Sequence, residues 1–196
     1  IDGKKVLDPT ANERLTGNEN LAPYLERIFN RSEFRVYQCD GERRYDITAH
    51  DAPEPTGCAL VHALGAGPML TPADRPLKDQ MVAEAVVDYN ADGRVIRDPL
   101  GVNRPDARTA MGLTAEGDVL LVMFSQNPEA GGKGFTLVDA ASLLRRLGAV
   151  KALSLDGGSS SGLYAEKTFY YGKFNAEGEP VKRLIKSALV VAPFKQ

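Results

Sequence analysis

The run that most constrains the fold is a capped helix with a glycine stop, in the sequence FTLVDAASLLRRLG of residues 135–148. Thr136 can cap the helix together with Asp139 three residues on, and Gly148 is a residue type that commonly follows the last helical turn. The apolar stripe of this helix consists of Leu137, Ala141, Leu144 and Leu147. The spacing predicts an amphipathic helix that packs one face on a core.

Strands are predicted on both sides of this helix. The segments TAMGLT (109–114) and VLLVMF (119–124) form a hairpin around the turn AEGD, and VKALSL (150–155) follows the helix as a short strand. Because VLLVMF is apolar on both faces, we expect it at the centre of a sheet. The resulting strand–helix–strand step ends at Asp156.

The N-terminal part of the chain predicts another helix and another hairpin. Residues 19–29 carry apolar side chains at helical spacing, which indicates a short amphipathic helix. The segments FRVYQC (34–39) and RYDITA (44–49) read as two strands joined across the dipeptide Asp40-Gly41.

Turns and later strands complete the outline of the fold. HDAPEPTG (50–57) is expected to be a loop because it holds two prolines, and GAGPML (65–70) is a turn in which backbone can approach another group closely. Two further strands are expected near Thr168–Tyr171 and Ser187–Val191. Together these elements predict an α/β or α+β fold, a single domain with a mixed β-sheet core and flanking helices.

Composition sets broad limits on function. The chain has 196 residues, which suits one domain; we expect residues 58–196 to form it, after an N-terminal segment 1–57 of unclear role. A formal net charge of −2 argues against a nucleic-acid partner. No apolar run approaches the roughly 18 residues of a membrane span, so we expect none in this chain. Cys39 and Cys58 could form one disulfide or remain two buried thiols.

The segment LSLDGGSSSGLYA (153–165) contains a possible nucleophile. Gly158, Ser160 and Gly162 fit the G-x-S-x-G pattern after a strand. That pattern requires a helix next, whereas the residues that follow read as a strand, and both histidines of the chain lie upstream of the serine. A serine hydrolase that uses Ser160 is therefore the least favoured function.

The same segment also fits an anion-binding loop. Glycines after Asp156 leave backbone N–H groups unobstructed, and the serine hydroxyls add hydrogen-bond donors. Asp156 stands at the end of a buried strand, where a catalytic carboxylate is well placed, although an Asp-Gly pair also commonly forms a simple turn. Arg104 and Arg108, just before the 109–114 strand, could hold a phosphate, lie in solvent or pair with Asp106.

Two other candidate sites do not have the required spacing. AGGKG (130–134) lacks the first glycine and the Ser or Thr of a phosphate-binding loop. His50, Asp51 and His62 lack the paired spacing of metal ligands. The sequence therefore predicts no metal and no cofactor.

Four segments together resemble the phosphodiester glycosidase family, which includes a lysosomal uncovering enzyme and bacterial proteins associated with exopolysaccharides. The segments are ALGAGPMLTPADRP, DARTAMGLTAEGDVLLVMF, GFTLVDAASLLRRLGAVKALSLDGGSSSGLY and RLIKSALVVAP, in the order of the family's motifs. The resemblance implies a hydrolase that splits the bond between a sugar's anomeric carbon and a phosphate. It also implies an extracellular, cell-envelope or periplasmic location, or a lysosomal one in a eukaryote.

The resemblance also implies which residues form the site. Asp156 would be the catalytic carboxylate, and Arg108 would hold the phosphate together with the loop 157–161. The implied substrate-binding residues are Thr109, Gly157, Gly158, Ser159, Ser160 and Gly67. The expected partner is a phosphorylated glycan or a small sugar phosphodiester.

The sequence departs from the family pattern in three places. Ser159 stands where the family usually has a third glycine, and Ser187 stands where it often has Asn. The family's INGGFF-like strand would precede residue 1, so we expect the chain to hold an incomplete site or to be one piece of a cleaved protein whose other piece is supplied separately. The expected protein partner is that upstream fragment or a second copy of the chain. These departures leave a non-catalytic binder of phosphorylated or acidic glycans as the alternative function.

Overall fold

The computed structural model of the chain describes residues 8–72, 74–185 and 188–192. Within these ranges, short helices alternate with antiparallel strands in a mixed α/β single domain, as the sequence predicts. The helices are α1 (Glu13–Thr16), α2 (Leu25–Phe29), α3 (Leu77–Ala83) and α4 (Leu137–Arg146). The strands are β1 (Ser32–Cys39), β2 (Glu42–Ala49), β3 (Cys58–Gly65), β4 (Asp88–Tyr89), β5 (Val95–Arg97), β6 (Arg108–Thr114), β7 (Val119–Phe124), β8 (Ala149–Ser154), β9 (Gly162–Ala165) and β10 (Thr168–Tyr171).

The predicted hairpin and the strand after α4 form one antiparallel sheet in the order β7-β6-β8, here called the middle sheet. The prediction that VLLVMF is central is wrong, because β7 pairs with β6 alone within the described residues and β6 is the central strand. Val119 and Leu121 of β7 are exposed. A strand that is apolar on both faces can be covered by other elements on both faces. The same pattern does not say whether the strand has hydrogen-bonded neighbours on one edge or on both.

Helix α4 covers one face of the middle sheet. Leu137, Ala141 and Leu144 are buried as predicted, whereas Leu147 is half exposed because it lies just beyond the last helical turn. The core cluster on this face also contains Met81, Val86, Val87, Ala110, Phe124, Ala140 and Ala152. The predicted apolar stripe is therefore correct except at its last residue.

The N-terminal hairpin belongs to a second sheet in the order β2-β1-β3, here called the first sheet. Both turn residues, Asp40 and Gly41, have positive φ, as a two-residue hairpin turn requires. The first sheet packs on the other face of the middle sheet around Ile47, Met111, Leu113 and Leu153. The middle sheet is thus covered by the first sheet on one face and by α4 on the other.

Cys39 and Cys58 form a disulfide, which decides between the two states that the sequence leaves open. Cys39 ends β1 and Cys58 begins β3, where the two residues are register partners. Residues 50–57 form the predicted loop between β2 and β3. The disulfide therefore closes the end of the first sheet at which this loop enters β3.

Three remaining predictions have different outcomes. The N-terminal helix is shorter than residues 19–29, because α2 follows a 3₁₀ turn over Ala22–Tyr24 that contains a proline. The strand near residues 168–171 is present as β10 and pairs with β9. Ser187 of the last predicted strand lies outside the described residues, and residues 188–192 carry no strand.

Among the helices that the structure describes, none has the length and apolarity needed to cross a bilayer.

Candidate functional site

The candidate site lies where β8 ends. β8 runs antiparallel to β6, so its last residues lie beside the first residues of β6. Leu155 N–H donates to the Thr109 carbonyl at 2.8 Å, and Gly67 N–H donates to the Ser154 carbonyl at 3.1 Å. The structure thus brings together the glycine–proline turn, the start of β6 and the loop after β8, although these segments lie far apart in the sequence.

The loop after β8, residues 156–161, is here called the acidic loop. Gly157 passes so close to the start of β6 that a Cβ atom there would lie 3.0 Å from the Ala107 carbonyl oxygen. Gly158 has a φ of +59° and donates its N–H to the same carbonyl at 2.7 Å. Within the described residues, the N–H groups of Gly157 and Ser159 donate to no protein acceptor. Such N–H groups are suited to binding an anion.

The serines of the acidic loop have different surroundings. Ser161 is buried and its hydroxyl accepts a hydrogen bond from Thr109 Oγ1 at 3.0 Å. Ser159 Oγ accepts a hydrogen bond from Arg183 Nη1 at 3.3 Å. The chain continues from the loop into strand β9 rather than into a helix. Because a nucleophile elbow requires that helix, the geometry counts against Ser160 as a nucleophile.

Arg108 opens β6 and is only 7% exposed. Its guanidinium donates four hydrogen bonds of 2.7 to 3.1 Å to the main-chain carbonyls of Leu100, Gly101, Arg104 and Phe135. Burial lowers the pKa of Arg108 below its ordinary value, an effect that the nearby Asp106 carboxylate opposes. These contacts favour a positioning role. Direct phosphate binding by Arg108 stays a prediction. The four hydrogen bonds leave one of its five guanidinium N–H groups available to donate to a phosphate.

Two cationic side chains that the sequence did not identify lie beside the acidic loop. Lys173 Nζ is 3.0 Å from Asp106 Oδ2, and a Cβ atom on Gly158 would lie about 4 Å from both of these atoms. Arg183 contacts the loop through Ser159. Lys173 belongs to no motif, so only the fold reveals its position. Arg183 lies in one of the segments that carry the family resemblance, which is a usable sequence signal.

Asp156 is exposed at the start of the acidic loop. Within the described residues, its carboxylate has no hydrogen-bond or ion-pair partner. An unpaired carboxylate can accept a proton from water or stabilise a developing positive charge. The site therefore combines a free carboxylate with backbone donors and two cations.

Gly67 lies in the glycine–proline turn beside the end of β8. It has a φ of +114°, and a Cβ atom there would overlap Glu84 Oε2. Glu84 is buried and accepts hydrogen bonds from Ser32 N–H at 3.1 Å, from the Ser32 hydroxyl at 2.9 Å and from Met69 N–H at 2.8 Å. A buried carboxylate that the sequence did not identify therefore holds this turn against the site.

The residues weighed as metal ligands belong to the first sheet and its loop. His50 Nδ1 lies 3.0 Å from Glu33 Oε2, and Glu33 is buried together with Arg35. Within the described residues, no group of three or more His, Cys, Asp or Glu side chains is arranged to hold a metal ion.

A family model matches nearly the whole chain. The model of the phosphodiester glycosidase family covers residues 10–192, which includes most of the segment 1–57. The boundary placed after residue 57 stays a prediction. A search of curated proteins found no match to this chain.

The solved structures that are similar to the chain include the following two. The zebrafish N-acetylglucosamine-1-phosphodiester alpha-N-acetylglucosaminidase catalytic domain, auto-inhibited by its pro-peptide, has a TM-score of 0.52 and 18% identity, over 74% of this chain and 45% of that one. A protein from Burkholderia pseudomallei has a TM-score of 0.49 and 25% identity, over 72% of this chain and 28% of that one. The chain spans less than half the length of either structure. The likeness to the zebrafish domain shows the fold alone.

Proposed function

The chain belongs to the phosphodiester glycosidase family, and from this premise we propose that it hydrolyses the bond between a sugar's anomeric carbon and a phosphodiester oxygen. The observation that carries the proposal is the acidic loop, which combines one free carboxylate, two free N–H groups and two neighbouring cations. The zebrafish neighbour is named for N-acetylglucosamine-1-phosphodiesters. These compounds are therefore the first substrates to test.

The acidic loop and its neighbouring cations bind the phosphate in this proposal. The N–H groups of Gly157 and Ser159 donate to its oxygens, and Arg183 and Lys173 contribute positive charge. Backbone donors held in a fixed geometry stabilise charge that develops in the transition state without having to reorganise. The hydrogen bond from Arg183 to the Ser159 hydroxyl supports this arrangement because it orients the guanidinium at the loop. It also gives a role to the residue that replaces the family's third glycine.

Arg108 acts mainly by positioning in this proposal. Its hydrogen bonds connect the turn before β6, and Phe135 two residues before α4, to the start of β6. Its Cδ atom would lie 3.7 Å from a Cβ atom on Gly157, so its side chain passes directly beside the acidic loop. Loss of Arg108 would therefore displace the loop.

Asp156 is the catalytic carboxylate in this proposal. The bond between the anomeric carbon and the bridging oxygen breaks, the electron pair leaves on that oxygen as a phosphate monoester, and a water oxygen bonds to the carbon. Ordinary glycoside hydrolysis uses two carboxylates because its leaving group needs a proton, whereas a phosphate monoester leaves with little protonation. One carboxylate then suffices. As a base, Asp156 takes a proton from the water whose oxygen bonds to the anomeric carbon, with inversion. As a nucleophile, Asp156 bonds to the anomeric carbon while the phosphate monoester leaves; water then breaks that ester bond and releases its proton to solvent, with retention.

Replacement of Asp156 by Asn tests the proposal. We expect the Asp156→Asn variant to lose about 100-fold or more of kcat, because the amide can neither accept a proton nor attack carbon. Release of free sugar from N-acetylglucosamine-1-phospho-mannose measures this rate, and the configuration of the released sugar separates base from nucleophile. Asp118→Asn is the matched control, since Asp118 is an exposed carboxylate in the β6–β7 turn. Full activity of Asp156→Asn would contradict the proposed mechanism.

Two other results would establish the alternative functions. Binding of phosphorylated or acidic glycans that survives Asp156→Asn, with no turnover by the unaltered chain, identifies a non-catalytic binder. Covalent labelling by a fluorophosphonate probe that Ser160→Ala abolishes identifies a serine hydrolase. The absence of labelling removes that last alternative.

We also propose that the chain works outside the reducing cytoplasm, in an extracellular, envelope or lysosomal setting. The Cys39–Cys58 disulfide supports this location because disulfides persist in oxidising compartments.

A further inference from the structure

The β9–β10 hairpin begins directly after the acidic loop and forms a small sheet of its own. Its turn residues Glu166 and Lys167 both have positive φ, as a tight two-residue turn requires. The far end of the hairpin is tied back to the loop, because Gly172 N–H donates to the Ser161 carbonyl at 2.9 Å. Side chains on this hairpin are therefore held at a fixed position relative to the acidic loop.

One face of the hairpin carries three aromatic side chains. Phe169 is the cross-strand partner of Tyr164, and Tyr171 is the partner of Gly162, so these residues share one face by the two-residue alternation of strands. Tyr164, Phe169 and Tyr171 are here called the aromatic face. Tyr170, which lies between two of them in the sequence, belongs to the opposite face.

Two rings of the aromatic face, those of Phe169 and Tyr171, pack against the hairpin and against each other. A Cβ atom on Gly162 would lie 2.8 Å from Phe169 Cζ, so the absence of a side chain at residue 162 makes room for the ring. The ring centroids of Phe169 and Tyr171 lie 4.5 Å apart. A surface whose rings are already ordered loses little conformational entropy when a ligand binds.

The outer rings of this face are open to solvent. Tyr164 is 67% exposed and Phe169 is 47% exposed. Cations lie at the base of the same hairpin: Lys182 Nζ is 6.0 Å from the Tyr171 ring centroid, and Arg183 contacts the acidic loop. Exposed ordered rings beside cations fit a ligand that has an apolar face, hydroxyl groups and a negative charge.

We propose that the aromatic face binds a pyranose ring of the substrate, stacked on Tyr164 and Phe169, while the acidic loop binds the adjoining phosphate. A pyranose presents C–H groups on its faces and hydroxyls around its rim, which match the ring faces and phenolic hydroxyls of tyrosines. The inference rests on the proposed function for the identity of the ligand. The aromatic face would then determine which sugar phosphodiesters the chain accepts.

Replacement of Tyr164 by Ala tests this inference. We expect Tyr164→Ala to raise KM for a sugar-1-phosphodiester, and Kd for a sugar 1-phosphate, about tenfold, because it removes one stacking partner. Its kcat changes less than about twofold, since the residue does not contact the reacting bond. Tyr164→Phe keeps the ring and restores most of the affinity. Because Tyr164 is exposed, the variants fold, and an unchanged Tm confirms this.

Tyr170→Ala is the matched control, because Tyr170 is also 47% exposed, like Phe169, but lies on the opposite face of the hairpin. We expect it to change neither KM nor Kd. Equal effects of Tyr164→Ala and Tyr170→Ala, or no effect of either, would overturn the inference, and so would failure of the unaltered chain to bind any sugar 1-phosphate.

The binding measurement separates this inference from the proposed function. If the unaltered chain binds a sugar 1-phosphate but hydrolyses no diester, the proposed hydrolysis fails, and a weaker Kd in Tyr164→Ala still supports the aromatic face. If hydrolysis occurs with the same KM in Tyr164→Ala, the hydrolysis stands and the aromatic face is wrong. Titration with inorganic phosphate adds a specific check, because Tyr164→Ala should leave that Kd unchanged.

Discussion

At the scale of single residues, a buried carboxylate determines the shape of the turn beside the site. Glu84 is 3% exposed and accepts hydrogen bonds from Ser32, Met69 and the Gln80 side-chain amide. Gly67 lies against this carboxylate with a φ that L side chains rarely adopt. The turn therefore requires glycine for two reasons, backbone conformation and lack of space.

We expect Gly67→Ala to lower the free energy of unfolding by about 2 kcal/mol or more, because it adds backbone strain and displaces a hydrogen-bonded carboxylate. Urea unfolding measures this change. Gly65→Ala is the matched control: Gly65 lies in β3, a Cβ atom there would meet no other atom within 4 Å, and its backbone needs no positive φ. Similar losses in the two variants would show that Glu84 does not constrain the turn.

At the scale of elements, helix α4 forms as predicted because its start is specified locally. Asp139 Oδ2 accepts hydrogen bonds from Thr136 N–H at 3.0 Å and from the Thr136 hydroxyl at 2.6 Å, and Thr136 Oγ1 accepts one from Asp139 N–H at 3.0 Å. The two bonds that the carboxylate accepts, chiefly that from the hydroxyl, hold the pKa of Asp139 below its ordinary value. Ionised Asp139 therefore stabilises the folded state.

We expect Asp139→Ala to lower Tm at pH 7 by about 2 to 4 °C, since a helix cap contributes about 1 kcal/mol. The folded-state pKa is depressed, so this contribution is present above the unfolded pKa of about 3.9 and is lost as the pH falls through the folded value. The Tm difference from the unaltered chain should therefore shrink below about pH 4. A difference that stays constant down to pH 2 would exclude a charge effect, and Asp118→Ala controls for loss of an exposed carboxylate.

A comparison of predicted and observed elements shows which features the sequence pattern predicts correctly. The Asp40-Gly41 turn and the β8 strand were predicted correctly, because turn chemistry and local alternation decide them. The central position assigned to β7 was wrong, because pairing depends on which other strands are nearby in three dimensions. The helix before β1 was predicted too long, because residues 22–24, which include Pro23, form a 3₁₀ turn and α2 begins only at Leu25.

At the scale of the whole molecule, the disulfide links β1 to β3, across the β2 strand and the 50–57 loop that lie between them in the sequence. Cys39 and Cys58 are 19 residues apart, and they lie at the opposite end of β1 from Ser32, which contacts Glu84. The disulfide therefore restrains the first sheet without contacting the site.

We expect the double substitution Cys39→Ser and Cys58→Ser to lower the free energy of unfolding by about 3 kcal/mol, from the loss of loop closure in the unfolded chain. For a chain of this length, that loss lowers Tm by roughly 6 to 12 °C. Calorimetry with and without reductant measures it, and reductant should have no effect on the double variant. An unchanged Tm on reduction of the unaltered chain would show that the disulfide does not contribute to stability.

The sequence by itself determined the capped helix α4, the strand that follows it and the glycine-rich loop that begins at Asp156. Interactions between residues a few positions apart decide these features, and such interactions are present in the sequence pattern. Only the tertiary structure decided three other contacts. Arg108 donates four N–H groups to main-chain carbonyls, Lys173 forms an ion pair with Asp106 beside the loop, and the Glu84 carboxylate packs against the turn at Gly67. These partners lie on different segments, and they meet only because strand register and the packing of the layers bring those segments together.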